Sequence, residues 1–512
     1  MEHDVDPRMP VLVGVATCLD DAEPAELMVR AARAAASDAG VGEPLLRAIE
    51  RVSVPRGTWS YTDPGRIVAE RVGATAARTH LVDLGIPQQT LFNEALGAIL
   101  AGELDVALIV GAEAKARAAR AAGRSSSADS ASMAAMGRRS GSPEGSEEID
   151  QGGAKPDVHQ MPEGELVSPA EIDAGLLAPV QQYALIESAL RAHEGLSVEE
   201  HRRAVGALWA RMNEVARTNP EAAFPQPLSA ADLAGKGAGR PLAFPYGKWH
   251  ASQWTVDQGA ALLLCSAAAA ERCGIPRDRW LFPLVAVDSS HSLPLMRRRE
   301  MHRWPAMAVL GAAAEAHLGR PLRTVDHAEL YSCFPAAVRV QQRELGLPLD
   351  GTPTLTGGMA FAGGPFNNFV LQATVAMARR LRAQPGLGLV TTVSGFLTKP
   401  GLAVWSSTPG GRPPLVADLA AEVSATTGAI DEVLPRHDGP GTIAALTITF
   451  AGDEPVEVVA ILDTDDGARF VARSRDTALV ARAMAEELVG RRVTTREGGI
   501  RSWPSATIRA SR

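Results

Sequence analysis

The sequence predicts an α/β protein made of two similar halves, with a helical excursion inside the first half and a small β-rich segment at the end. Three observations carry this. Short apolar, β-branched runs alternate with stretches of helical spacing along most of the chain. Two segments echo each other, IPQQTLFNEALGAILAGELDVALIVGAEA in the first half and GGPFNNFVLQATVAMARRLRAQPGLGLVTTVSG in the second. Each is a proline, two amide side chains, an apolar helix, a turn with glycine and a strand, the mark of a duplicated unit. From residue 442 onward the pattern changes to strict alternation, as in TIAALTITF.

Residues 11–17 (VLVGVAT) read as a buried strand, and 26–40 as a helix ending at glycine. Strands are expected at 51–55 and 80–84, a helix at 87–101 ending at Gly102, and a strand at 105–110. This alternation implies mostly parallel pairing. Residues 115–162 are polar and rich in Ser and Gly, so part of this stretch is expected to be flexible. Helices follow at 181–193 and 198–218, and the strand pattern returns at 258–266. The second half offers a strand at 284–288, a helix at 305–318, a strand and turn at 327–334, and a helix at 335–345. A glycine-rich stretch, 357–365, leads into a helix at 366–381, with strands at 388–393 and 403–407. Last come strands at 442–450, 455–462 and 469–472, a hairpin turn at Asp466-Gly467 and a helix at 477–488. This last region reads as a partly open barrel of OB type.

A chain of 512 residues is too long for one core, so two to four domains are expected. Its net charge of -8 gives nucleic-acid binding no support at the level of the whole chain. The OB-like reading, with Arg491, Arg492, Arg496 and Arg501, still allows a partner protein or a single strand to bind the last domain. The four cysteines (Cys18, Cys265, Cys273 and Cys333) have no zinc spacing, so no metal is expected. The first ten residues lack an apolar signal region and no run reaches transmembrane length. A cytoplasmic location without a membrane partner is therefore expected. His250, His291 and His327 are read as hydrogen-bonded structural histidines, and 463–467 as a solvated hairpin, because it lacks the EF-hand glycine and glutamate.

Several motifs resemble those of the thiolase superfamily. Residues 93–106 (NEALGAILAGELDV), running into Gly111-Ala112-Glu113, are similar to the thiolase helix and strand that follow the nucleophile. Pro245-Tyr246-Gly247-Lys248 and then VDQGAA at 256–261 resemble the end of the thiolase loop domain. Glu329-Leu330-Tyr331-Ser332-Cys333-Phe334 resembles the His-Asp-Cys-Phe signature of the sterol-carrier-protein type, and 357–365 stands where thiolases carry Gly-His-Pro. The likeness spans roughly residues 8–410, and the appended β-rich domain points to the thiolase-like proteins of type 1.

The resemblance implies a five-layered α-β-α-β-α fold: 8–113 with 251–279 as the first half, 114–250 as the loop domain, 280–410 as the second half and 411–512 as the OB-like domain. It places Gly85 at the nucleophilic cysteine, Gly364 at the activating histidine, Val393 at the second cysteine and Tyr331 at the fourth motif. None of these can serve as a thiolate at a helix N-terminus. The expectation is thus an acyl-CoA-binding protein with CoA or its thioester as ligand, no other cofactor, and no conventional acetyl-CoA acetyltransferase activity. Two alternatives stand beside it: an aldol or retro-aldol enzyme using Tyr331, and an acyltransferase with Cys333 as a displaced nucleophile. Candidate CoA or substrate contacts are Gln88, Gln89, Tyr246, Lys248, Gly363 and Gly364, with Lys115, Arg117 and Arg120 as a phosphate patch. Thiolases commonly dimerise through the strand equivalent to 80–84, so a monomer or a homodimer is expected, depending on what covers that edge.

Overall fold

The computed structural model describes residues 5–123 and 151–502. The first half contributes β1 (Pro10–Leu19), α1 (Pro24–Asp38), β2 (Arg51–Pro55), β3 (Arg78–Val82), α2 (Gln88–Ala101) and β4 (Val106–Ala114). The excursion carries β5 (Val158–Gln160), α3 (Pro179–His193), α4 (Val198–Thr218), β6 (Pro241–Ala243) and β7 (Tyr246–Gly247), and β8 (Asp257–Ser266) returns to the first sheet. The second half holds β9 (Phe282–Asp288), α5 (Pro305–Leu318), β10 (His327–Glu329), α6 (Pro335–Glu344), α7 (Phe369–Ala383), β11 (Leu387–Ser394), β12 (Lys399–Ser406) and β13 (Leu415–Asp418). The chain ends with β14 (Gly439–Ala451), β15 (Glu454–Asp463), β16 (Arg469–Ser474), α8 (Thr477–Ala485), β17 (Arg492–Arg496) and β18 (Gly499–Ser502).

The first sheet has the order β1-β8-β4-β2-β3-β5, and the second β10-β11-β12-β9-β13. Between them lie α2 and α7, whose apolar side chains share one core with the inner faces of both sheets. Helix α1 covers the outer face of the first sheet, and α5 and α6 that of the second. The result is the expected five layers, with each sheet buried on both faces. The duplication is visible in pairing direction: β8 runs antiparallel to β1 and β4, as β12 does to β9 and β11. The expectation of mostly parallel pairing holds only narrowly, with five of the nine pairings in these two sheets parallel. Apolar runs carry no direction, and the strand closing each half reverses it.

Three further differences matter for the site. Helix α7 starts at Phe369 rather than residue 366, because Asn367 adopts φ 52 and turns the chain before the helix. Residues 415–418, assigned by sequence to the last domain, extend the second sheet parallel to β9. Part of the stretch expected to be flexible is ordered: β5 adds parallel to β3. The rest of that expectation, at 124–150, lies outside the described residues.

The terminal region closes as a five-stranded barrel, because β14 pairs with both β15 and β17 while β16 and β18 complete the circuit. Its interior is a separate apolar core including Leu446, Ile448, Leu462 and Phe470. The barrel is tied to the excursion. Strand β14 meets β6, the Leu446 N–H donates to Ser188 Oγ at 2.9 Å, and buried Arg191 pairs with Glu487 at 2.5 Å.

Candidate functional site

The two echoed segments bring their helix N-termini together. Gln88, first residue of α2, donates from Nε2 to Asn367 Oδ1 at 2.9 Å, and its Oε1 accepts the Val370 N–H of α7 at 3.1 Å. Asn367 donates to the Arg56 carbonyl, and Asn368 to that of Gly111. Gln89 donates to Asn93, and Asn93 donates in turn to Asp288 Oδ1 at 2.9 Å. The amides that mark the repeat thus stitch the halves. Gln88 and Gln89 are buried and engaged with protein, and neither lines the cavities of about 770 and 450 Å³ described below.

The glycines in front of these helices have close neighbours. Gly85 has φ 94, a left-handed conformation that favours glycine, and a Cβ there would lie 3.1 Å from both Leu166 and Pro162. A Cβ on Gly364 would run into Ser252 Oγ, and one on Gly395 would lie 2.9 Å from Leu166. Gly363 has φ 102 and sits over the Gln258 amide. Val393 is a buried strand residue opposite Pro400. Leu166 therefore packs between Gly85 and Gly395. Its segment is held by Lys399 Nζ on the Glu163 carbonyl at 2.6 Å and by Ser292 on the Glu165 carbonyl at 2.5 Å.

Tyr331 and Cys333 follow β10 and are largely buried. The Tyr331 ring meets Phe369 of α7 edge-on at 5.8 Å, and its hydroxyl makes no hydrogen bond among the described residues. Burial, with Cys333 beside it, pushes that hydroxyl well above the ordinary phenol range. Burial likewise pushes the Cys333 thiol up to about 12, despite hydrogen bonds from Tyr183 and from backbone. The single Tyr183 proton is shared between this thiol and the Gly395 carbonyl, 3.3 Å from the hydroxyl oxygen. Both candidate groups are thus protonated near neutral pH, and Cys333 is a poor nucleophile.

Tyr246 belongs to a buried ionic network. It donates to Glu187 Oε2 at 2.5 Å, and Glu187 also meets Arg339 at 2.5 Å and His201 at 2.8 Å. Burial opposes the Glu187 charge, but Arg339, His201 and Tyr246 outweigh it and hold the carboxyl down at about 2. Lys248 lies over the Trp249 ring, 5.0 Å from its centre. Lys115 lies over Trp254 at 3.4 Å, while Arg120 is paired with Asp21 and Asp257 and Arg117 with Asp21. The basic patch near residue 115 is largely neutralised within the chain.

The six candidate contacts do not share one cavity. Tyr246 lines a cavity of about 770 Å³ beside the barrel. Gly363 lines another of about 450 Å³ with Gln258, Thr356 and Phe369. Sequence reasoning missed Leu166, Ser252 and the polar role of Tyr183. Leu166 and Ser252 carry no local signal, and Tyr183 reads as one apolar position of α3.

No family model and no curated protein matches the chain. Solved structures do. A monomeric SCP2-thiolase-like protein type 1 from Mycobacterium smegmatis superimposes with TM-score 0.78 at 29% identity, covering 97% of this chain and 99% of that one. The Ltp2-ChsH2(DUF35) aldolase gives TM-score 0.53 at 19% identity, covering 79% and 99%. Human mitochondrial 3-ketoacyl-CoA thiolase gives 0.55 at 16% identity, covering 78% and 99%. The last two likenesses establish the fold.

Proposed function

From a chain related to the thiolase superfamily, we propose a protein that binds a CoA thioester without thiolytic turnover. The observation that carries this is the packing in front of the two helix N-termini. A thiolase mechanism needs a thiolate there, with donors aimed at the developing oxyanion. Here Gly85 is faced by Leu166 and Pro162, and Gly364 by Ser252. The nearest candidate thiol, Cys333, stays protonated. The CoA part of the reading is supported by the relatives, among them a human 3-ketoacyl-CoA thiolase in complex with CoA. The thioester end would stop short of Gly85 and meet Tyr331, whose free, protonated hydroxyl suits it to donate to a carbonyl oxygen.

The test is thiolysis of acetoacetyl-CoA with free CoA, followed by loss of the enolate absorbance. We expect no turnover from the natural chain. We also expect none from a Gly85→Cys/Gly364→His variant, whose new side chains have no room. Turnover by the natural chain would overturn the proposal.

A second reading is favoured by the unpartnered Tyr331 hydroxyl together with the fused barrel. The structural neighbour named Ltp2-ChsH2(DUF35) aldolase shares the fold over 79% of this chain. In this reading the Cα–Cβ bond of a β-hydroxyacyl-CoA breaks as the β-hydroxyl loses its proton and becomes a carbonyl, Tyr331 protonates the α-carbon of the departing acyl-CoA fragment, and the hydroxyl proton restores the phenol through solvent. Equal cleavage by Tyr331→Phe, or no cleavage by either form, removes it.

A further inference from the structure

The cavity of about 770 Å³ between the excursion and the barrel excludes Tyr331 and Cys333. Its apolar walls come from both sides: Val205, Leu233 and Phe244 from the excursion, Phe450, Pro455 and Met484 from the barrel or the helix packed on it. Three cations line it, Arg202, Lys236 and Arg240, and none forms an ion pair among the described residues. Most other arginines near acids are paired, as Arg120, Arg191, Arg339 and Arg473 are. Asp453 is the one carboxylate in the lining. An unneutralised cationic rim in a chain of net charge -8 calls for an anion from outside.

A second, independent observation points the same way. His201 lines the cavity and is 1% exposed. Its Nε2 faces Glu187 at 2.8 Å and Arg339 at 2.7 Å. Its Nδ1 is buried with no hydrogen-bond partner. Glu187 can only accept and Arg339 can only donate, so whichever tautomer the ring takes at Nε2, Nδ1 is left as a buried polar atom without a partner. Buried polar atoms are normally satisfied, and a phosphate group, whose oxygens accept and whose P–OH donates in the monoanion, can meet either form.

We infer that this cavity binds an organic phosphate: a phosphomonoester whose apolar body lies between Phe244 and Phe450 and whose phosphate meets Arg202, Lys236 and Arg240. Two guanidinium groups and an ammonium suit a dianion with several acceptor oxygens better than a single carboxylate. The body is required by the apolar walls, which a bare ion would leave uncovered. Because one wall is the barrel, the ligand would bridge barrel and excursion. The inference does not rest on the thioester reading, and CoA, which carries phosphates of its own, is left out of the test.

The test is calorimetric titration of the full chain with hexyl phosphate, benzyl phosphate and inorganic phosphate at fixed ionic strength. It is repeated on Arg202→Ala/Lys236→Ala/Arg240→Ala, whose side chains are at least partly exposed and hold no ion pair, and on Phe450→Asp. At least one organic phosphate is expected to bind ten-fold or more tightly than inorganic phosphate. The triple variant and Phe450→Asp are each expected to lose ten-fold or more. The preferred ester tells an aromatic from an aliphatic body. The inference is overturned by absent binding of both esters, by equal binding of inorganic phosphate, or by unchanged binding in either variant when thermal unfolding shows that variant folded.

Discussion

Asp288 shows what one buried group does to the pH response of this fold. It ends β9 and receives Thr90 at 2.5 Å and Asn93 at 2.9 Å from α2. Burial raises its pKa from 3.8 to about 7, with Asp418 adding to the rise and the two hydrogen bonds only partly opposing it. The folded state therefore holds this proton more tightly than the unfolded chain. The stabilisation is full below the unfolded value near 3.8 and is lost as pH rises through about 7. At about 1.4 kcal/mol per pH unit, the part lost between pH 5 and about 7 is on the order of 3 kcal/mol. Urea unfolding at pH 5 and pH 8.5 is expected to show a decline that Asp288→Asn reduces but does not remove, since asparagine can donate to Thr90 and accept from Asn93 while buried Glu329, also raised to about 7, still contributes in the same window. Equal declines in both proteins would contradict this. At the same scale, the residues at the motif positions were legible in the sequence, because proline, amide and glycine signals fix where each helix starts. What faces them was not. Leu166 reaches Gly85 from eighty-one positions along the chain, and Ser252 reaches Gly364 from 112. Packing of that range leaves no periodicity to read.

Between elements, Gln88 is the joint. It satisfies one N–H at the start of α7 and the side chain of Asn367 at once, in a buried setting. Gln88→Ala leaves both groups unsatisfied and is expected to destabilise the fold by about 2 kcal/mol, measured by urea unfolding. A change under a few tenths would mean that water replaces the amide. The paired amides announced this joint in the sequence, although not that the two would meet. The long helices were equally legible: α2 and α4 fall where spacing and caps place them, α4 starting at a Ser197–Glu200 capping box. The short strands were not. Strands β5, β6 and β7 have two or three residues each, too few for alternation to show, and β13 is a four-residue run after two prolines. Strand direction was also hidden, because β8 and β12 read alike whether parallel or antiparallel.

At the scale of the molecule, β5 changes what the first sheet offers to a partner. It pairs along His80, Leu81 and Val82, so β3 is an interior strand rather than an open edge. Three residues of the excursion, not the barrel, cover the β3 edge. Light scattering across a concentration series is expected to give the mass of one chain, and a dimer at working concentrations would contradict the covered edge. The barrel closes through β14 and β15 and docks on α3 by the buried Arg191–Glu487 pair, which makes it part of the same assembly as the site. Taken together, a superfamily scaffold is retained around Tyr331 while the helix N-termini are packed from within. The most direct measurement is a calorimetric titration of the full chain with acetyl-CoA, run beside Tyr331→Phe. The account predicts saturable binding of one equivalent that weakens several-fold in the variant. No heat and no thermal shift with the natural chain would contradict it.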